Sequence, residues 1–393
     1  MLRRAIDKIG SFFNLERNLL LLFSAGLSAV IALQLIQPLF PVYLQSLDAS
    51  EIEISLVISL SSVAGTILML PAGHIMNKIG GKRMFLAGFL LWSVSTFFIA
   101  LANNWRTVAA LYVFHGIAEA FVGPARMTLI SSSSTPATEA TVFGLMSLDW
   151  SIGGTVAPPL SGYLAEMVGW QVPLLAASAA FLIGVIPVLR LEEGAPRQVH
   201  VENSCAVVAG GFGPRSLAAF LYFMFGLLTN SAQSMVGTML PLFLKNQLTL
   251  STTVIGLFFT AANLLGVLIQ VPGGLLADRY GKKRLITLLL LPLPLVYGLW
   301  GVVDGWQAYL LIYVVSRGLL SMMGPAVLAI VSEVFSDEQK GSAFGVRMAS
   351  VRLGSAVGPL IGGYLYGSLG PVSPFTGAGV ILLLSIPFIY LLK

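Results

Sequence analysis

An all-α membrane protein, with twelve transmembrane helices in two pseudo-symmetric six-helix bundles, follows from three features of the sequence. The 393-residue chain is 56% hydrophobic and only 10% charged, outside the range of soluble domains. Apolar runs of about the 20 residues that a bilayer-spanning helix needs recur along its whole length. Two basic turns also lie 201 positions apart with matching residues: Pro71, Gly73, Gly80, Lys82 and Arg83 return as Pro272, Gly274, Gly281, Lys283 and Arg284.

The spans read in order at about 19–45, 53–76, 84–102, 107–131, 140–165, 171–190, 216–245, 252–277, 284–303, 307–331, 341–367 and 372–391. The polar, Gly-rich stretch 191–215, with Pro196 and Pro214, reads as a linker between a first bundle (1–190) and a second (216–393). Loops elsewhere are too short for an extramembrane domain. The first 18 residues are polar and amphipathic, and the apolar run after them is long enough to remain as a span, so no cleavable leader is expected.

The duplication reaches into the spans. Phe143-Gly144, Gly153, Pro158 and Gly162-Tyr163 return as Phe344-Gly345, Gly354, Pro359 and Gly363-Tyr364, and Gly123-Pro124-Ala125 returns as Gly324-Pro325-Ala326. Such parallel halves are related by an axis along the membrane normal, with substrate bound near the midplane between them. Of the loop and terminal lysines and arginines, all but Arg106 and Lys245 fall on one side. By the positive-inside rule that side is cytoplasmic, with both termini and the linker on it, in a multi-pass protein of the cell membrane.

Composition also excludes functions. One cysteine, Cys205, rules out a disulfide framework. His74, His115 and His200 lie too far apart for a metal site, and no nucleophile–base pairing stands out. No catalytic residue, metal or cofactor is expected, and the protein is not read as an enzyme. The net charge of +5 follows membrane topology, so no nucleic-acid partner is expected. A membrane sensor on the same scaffold is the alternative from a different class, but it would need an appended cytoplasmic domain.

The basic turns carry a family resemblance. Gly274, Asp278, Arg279, Gly281, Lys282, Lys283 and Arg284 meet the pattern Gly-x-x-x-Asp-Arg-x-Gly-basic-basic-basic, and Gly73, Lys78, Gly80, Lys82 and Arg83 repeat it with Asn77 in the aspartate's place. Over essentially its full length the chain resembles a transporter of the major facilitator superfamily. The run Gly354-x-x-x-Gly358-Pro359-x-x-Gly362-Gly363 resembles a motif that the superfamily's drug–proton antiporters carry in span 5. Here span 5 keeps Gly153, Ala157, Pro158, Ser161 and Gly162. Tyr112, four residues before Gly116, stands where those antiporters place an arginine. The resemblance implies that Asp278 tethers its loop to a neighbouring helix, in a contact that breaks and reforms between states, and that spans 1, 4, 7 and 10 line a central cavity.

Ionisable residues inside the spans carry the functional expectation, because a charge at the bilayer centre costs at least about 2.5–3.5 kcal/mol. His115, Glu119 and Arg126 share one face of span 4 by helical spacing. Asp149 in span 5 lies at the depth of Arg126, so the two are expected to pair. Glu119, nearer the midplane, is the first candidate for proton coupling, with Asp149 second and His115 a possible sharer. In the second half Arg317, Arg347 and Arg352 are intramembrane, and Arg347 has Glu333 or Asp278 as prospective partners. Arg317 and Arg352 either pair across the halves with Glu119 and Asp149 or hold an anionic group of the substrate. Gln34, Gln37, Asn230 and Gln233 are the neutral polar candidates for the cavity, with Asn263 at similar depth. Tyr43, Trp92 and Trp300 are expected at interface belts or facing lipid.

The expected function is secondary-active transport of a small organic solute by alternating access, as proton-coupled efflux by a monomer. The energy source is the proton gradient. The alternative is proton-linked or facilitated transport of an organic or phosphorylated anion or an amphiphile.

Overall fold

The computed structural model describes residues 17–133, 139–192, 214–335 and 340–392. Most of the expected linker, the first 16 residues and the last one therefore lie outside the described residues.

Among the described residues sixteen α-helices build the spans. In the first half α1 (Arg17–Ile36) and the short α2 (Phe40–Gln45) make span 1, and α3 (Glu51–Ile79), α4 (Gly81–Leu101) and α5 (Trp105–Ser132) make spans 2 to 4. Span 5 is α6 (Glu139–Met146) followed by α7 (Leu148–Met167), and span 6 is α8 (Gln171–Leu189). In the second half α9 (Pro214–Asn246) and α10 (Thr252–Tyr280) are spans 7 and 8. Span 9 is divided into α11 (Lys282–Leu290), α12 (Leu293–Gly298) and a 3-10 turn, Leu299–Gly301. Span 10 is α13 (Trp306–Ala329) with α14 (Val331–Val334), and α15 (Lys340–Leu369) and α16 (Ser373–Leu391) are spans 11 and 12. The breaks in spans 1 and 9 fall where Pro38, Pro41, Pro292 and Pro294 cluster, since proline lacks the N–H donor and crowds the preceding turn.

Among the described residues nine helical stretches are long and apolar enough to cross a membrane. Leu148–Met167, Pro214–Asn246 and Lys340–Leu369 lie outside that set. They carry Asp149, Asn230, Gln233, Arg347 and Arg352, the polar groups of spans 5, 7 and 11.

The repeat at 201 positions is written into the backbone. Gly80 and Gly281 both take φ of 90°, Gly169 and Gly370 take 103° and 98°, and even the non-glycines Asp48 and Thr249 match at 64° and 50°. Ser50 and Ser251 cap α3 and α10, Ser50 in a reciprocal capping box with Glu53. Lys82 Nζ donates to the carbonyl of Leu191 at 2.6 Å, and Lys283 Nζ donates to that of Leu392 at 3.0 Å. Each basic turn thus clamps the C-terminal end of the sixth span of its own half, where helix carbonyls are unpaired and the dipole favours a cation.

Packing repeats in the same way. α1 lies on α7 and α8, as α9 lies on α15 and α16; α3 lies on α5, as α10 lies on α13. Across the halves α7 meets α10, and α15 meets α3. On the face away from the chain ends these crossings are held close by glycines: Gly162 sits against the Thr252 carbonyl, Gly256 against the Pro158–Pro159 backbone and Gly363 against Ser55. Toward the face of the chain ends, a Cβ placed on Gly73 or Gly144 would meet nothing within 4 Å. The close glycine crossings between halves are thus found at the far face and at mid-depth, where Gly154 meets Asn263, and none is found at Gly73 or Gly144.

The aromatic expectation is overturned. Tyr43, Trp92 and Trp300 are at most 5% exposed and sit inside the bundles instead of facing lipid. Trp300 stacks on Phe375 at 3.9 Å, Trp92 Nε1 donates to the His115 carbonyl at 3.0 Å, and the Tyr43 hydroxyl donates to that of Ile99 at 2.8 Å. Each ring fills space between helices while its polar atom, where bonded, finds a backbone acceptor.

Candidate functional site

Between the halves, at mid-depth, lies a cavity of ≈ 260 Å³. Gln34 of α1 and Gln37 just beyond it reach it from the first half. Gln233 of α9, Asn263 of α10 and Arg317 of α13 reach it from the second, with Trp150, Phe259, Tyr297 and Tyr313 as its aromatic walls. Arg317 Nη1 donates to Gln233 Oε1 at 3.0 Å. Asn230 points elsewhere: its amide bonds back to the Gly226 carbonyl at 2.8 Å, and its Cβ lies beside Gly354. It is helix packing, not cavity lining. A cavity role for Tyr313 was legible one turn before Arg317 on the same face. Tyr297, in the proline-broken ninth span, gives no such signal.

Among the described residues the intramembrane charges form two ion pairs of different character, with Arg317 and Arg347 outside them. Arg126 and Asp149 form a short contact between α5 and α7, and Arg126 Nη2 also donates to the Met146 carbonyl at 3.1 Å. Asp149 is 1% exposed. The pair rests on Gly26 of α1, where a Cβ would come within 2.8 Å of Arg126 Nη2, so glycine is what leaves room for both side chains. The second pair crosses the halves: Arg352 Nη1 of α15 lies 2.8 Å from Glu119 Oε1 of α5, with side-chain exposures of 21% and 46%. Arg352 is thus neutralised by Glu119, whereas Arg317 faces a neutral amide.

Two sequence expectations are corrected. His115 is not joined to Glu119 by a hydrogen bond. Its ring packs between Tyr112 at 5.0 Å and Trp92 at 5.7 Å, its Nε2 is buried without a partner among the described residues, and it is 3% exposed. The spacing was helical, but the positions face different neighbours: His115 the aromatic interior of its own bundle, Glu119 the seam. Asp278 is not the partner of Arg347, since it is exposed and in no ion pair among the described residues. The Glu333 side chain lies outside the described residues, and Arg347 Nη1 is buried against Gly226 and Ser350 with no partner among them.

The basic turns lie at the terminal face. Gly80 and Gly281 end α3 and α10 at a φ that only glycine takes without strain. Lys82 and Lys283 make the clamps described above, and Asn77, Arg83, Arg279 and Arg284 are exposed. Gly73 meets open space, and Gly274 meets only Pro325 of its own half, at 3.7 Å. At the far face Glu166 of α7 accepts from Thr253 Oγ1 of α10 at 2.6 Å, joining the halves beside a second cavity of ≈ 400 Å³ that Lys245 and Ser251 also line. Sequence reasoning passed over Glu166 because it stands outside the apolar run. Among the described residues no three His, Cys, Asp or Glu side chains are grouped to hold a metal.

This geometry, two bundles around a polar mid-depth cavity with tight glycine crossings at the far face, serves alternating access by rocking of the halves. The arrangement has known counterparts. Multidrug resistance protein 1 of Bacillus subtilis (strain 168) is 27% identical over 345 residues, covering 86% of this chain and 87% of that one. Quinolone resistance protein NorA of Staphylococcus aureus (strain COL) is 25% identical, covering 90% and 89%. Among solved structures, a bacterial homolog to the human lysosomal transporter Spinster, in an inward-facing and occupied conformation, superposes with a TM-score of 0.80 at 14% identity, covering 95% of this chain and 96% of that chain. The nucleoside transporter NupG gives 0.75 at 14% identity over 95% and 98%. The family model for the Major Facilitator Superfamily matches residues 22–229 and 216–393, so the chain belongs to that superfamily and is a multi-pass membrane transporter.

Proposed function

We propose that the protein exports a small organic solute from the cell in exchange for protons, with its terminal face in the cytoplasm and the proton gradient as its energy source. The observation that carries this reading is the Glu119–Arg352 pair. It spans the seam between halves that must move apart, and it is not sealed inside either bundle, with the Glu119 side chain 46% exposed. Protonating Glu119 removes one charge of the pair, frees Arg352 and cuts a tie between α5 and α15. Proton uptake and separation of the halves are then one event, which is what coupling requires. Asp149 is the poorer carrier, because it is 1% exposed and paired with Arg126 inside one half, so its protonation would cut no tie between the halves.

The direction of export rests on the relatives, whose names are those of multidrug and quinolone resistance proteins. The orientation rests on the lysine and arginine bias of the loops, reinforced by the clamps that Lys82 and Lys283 make at the terminal face. One chain supplies both halves and the whole cavity wall, so a monomer suffices for the cycle.

The test is Glu119→Gln in proteoliposomes with an imposed pH gradient. Gradient-driven accumulation should disappear while solute exchange without a gradient persists. Accumulation at the unmodified rate removes Glu119 from the coupling step.

A further inference from the structure

Within the mid-depth cavity the charges do not balance. Of the described side chains that line it, Arg317 is the one ionised group, and its guanidinium is met by the neutral Gln233 Oε1. Of the other intramembrane arginines, Arg126 and Arg352 already have carboxylates, Asp149 and Glu119, and Arg347 lies against Gly226 and Ser350, outside the cavity wall. An uncompensated guanidinium in a membrane interior is costly, and its planar fork matches a carboxylate with two parallel hydrogen bonds. The surrounding polar groups add donors. Asn263 Nδ2, in the wall beside Gly154, is buried without a partner among the described residues, and Tyr297 and Tyr313 line the same space. Phe259 stands edge-on to Tyr313 at 5.9 Å, which with Trp150 gives a wall for a flat ring. At ~30 Å³ per water, a cavity of ≈ 260 Å³ has room for a ring system of about two rings.

We infer that the cargo is an aromatic monoanion, a ring-bearing carboxylate whose acid group is held by Arg317 and Asn263. This rests on the export reading and names its substrate class. It sets the protein apart from a pump for cationic drugs, because a cation in this cavity would face Arg317 with no carboxylate among the lining side chains. It also fixes the electrical sign of the cycle: a monoanion leaving as one proton enters moves two charges, so an inside-negative potential drives export.

The experiment measures binding to the purified full chain in nanodiscs, without any gradient, for three probes of one shape: 1-naphthoate, 1-naphthamide and 1-naphthylmethylammonium. Inorganic phosphate serves as a ring-free anion. Naphthoate should bind at least tenfold more tightly than the amide, the ammonium more weakly than either, and phosphate more weakly than naphthoate. Arg317→Gln should bring naphthoate and naphthamide within twofold, and Arg317→Lys, which keeps the charge and guards against a folding defect, should retain part of the gap. Equal binding of acid and amide, preference for the ammonium, no naphthoate binding, or a gap that survives Arg317→Gln overturns the inference. Phosphate binding as tightly as naphthoate overturns the aromatic part. A separate flux measurement under a pH gradient keeps the two readings apart. Gradient-driven naphthamide flux without acid preference sinks the cargo class alone, and acid preference without gradient-driven flux sinks the coupling alone.

Discussion

The glycines at the far face make the rocking mechanism measurable. Alanine at position 162 would drive its Cβ into the Thr252 carbonyl, with the carbonyl carbon at 2.5 Å and Thr253 N at 2.7 Å. Alanine at 363 would collide with the Ser55 hydroxyl, with Ser55 Cβ at 2.7 Å and the Glu51 carbonyl oxygen at 2.8 Å. Most of these atoms are backbone and cannot swing aside. Overpacking of this kind costs about 1–3 kcal/mol per site, and the two sites lie in separate helix pairs, so the costs add to roughly 2–6 kcal/mol. The penalty applies only while the far face is closed, because opening it parts α7 from α10 and α15 from α3. At about 1.4 kcal/mol per tenfold, the equilibrium between far-face-open and far-face-closed should move by roughly thirtyfold to ten-thousandfold. The assay uses Gln37→Cys in a Cys205→Ser background, labelled by a membrane-impermeant maleimide from the far side. The double variant Gly162→Ala/Gly363→Ala should raise that labelling at least tenfold. Gly298→Ala, where a Cβ meets nothing within 4 Å, should leave it unchanged. Unaltered labelling in a folded, monodisperse double variant would mean that these crossings are not the gate.

Three further outcomes follow from the same geometry. Asp149→Asn should destabilise the protein by about 3–5 kcal/mol, because the carboxylate it replaces is 1% exposed and packed against the Arg126 guanidinium, whereas Glu119→Gln, at a carboxylate 46% exposed, should stay within about 1 kcal/mol; thermal unfolding in detergent separates them, and equal losses would defeat the distinction. Hydrogen bonds from Thr253 hold the Glu166 carboxyl below the usual carboxylate range, so its latch is in place above that range and is lost as far-side pH falls through the lowered value. Far-side labelling of Gln37→Cys should then rise on acidification and stay flat in Glu166→Gln, and a flat profile in the unmodified latch would dismiss it. Gly281→Ala, at φ of 90°, should cost about 1–3 kcal/mol in unfolding stability, and an unchanged midpoint would show that the turn adapts.

What the sequence made legible was whatever repetition and burial cost enforce. Matched residues at a single offset gave the two bundles, and the expense of intramembrane charge picked out Arg126 with Asp149 before any geometry was known. Helical spacing then misled for His115: two positions a turn apart share a face only to within some tens of degrees, enough for one to enter the bundle interior and the other the seam. Asn230 failed similarly, since an amide on a lining helix can satisfy itself on its own backbone, as it does at Gly226. The two alternatives left open for the arginines divided, Arg352 pairing across the halves and Arg317 facing the cavity, which depends on depth differences smaller than span boundaries can resolve. Aromatic residues were the least legible. Trp92 and Trp300 have the composition of interface anchors, yet three-dimensional contacts alone place them between helices.

The duplicated scaffold is electrostatically unequal, and the proposed cycle draws on that inequality. Asp149 of the first half corresponds to Ser350 of the second, and Arg126 to Val327. Beneath Gly26 the first half therefore holds a closed ion pair, whereas the corresponding place beneath Gly226 holds Ser350 with the guanidinium of Arg347. The acidic group at the seam comes from the first half, as Glu119, and its cation from the second, as Arg352. Were both halves equally charged, each would neutralise itself and nothing electrical would join them. With acid on one side and excess base on the other, the tie between halves is an ion pair, the bond that the proposed proton uptake would cut. Of the second-half arginines in no ion pair among the described residues, Arg317 and Arg347, it is Arg317 that lines the cavity in which the proposed cargo would bind.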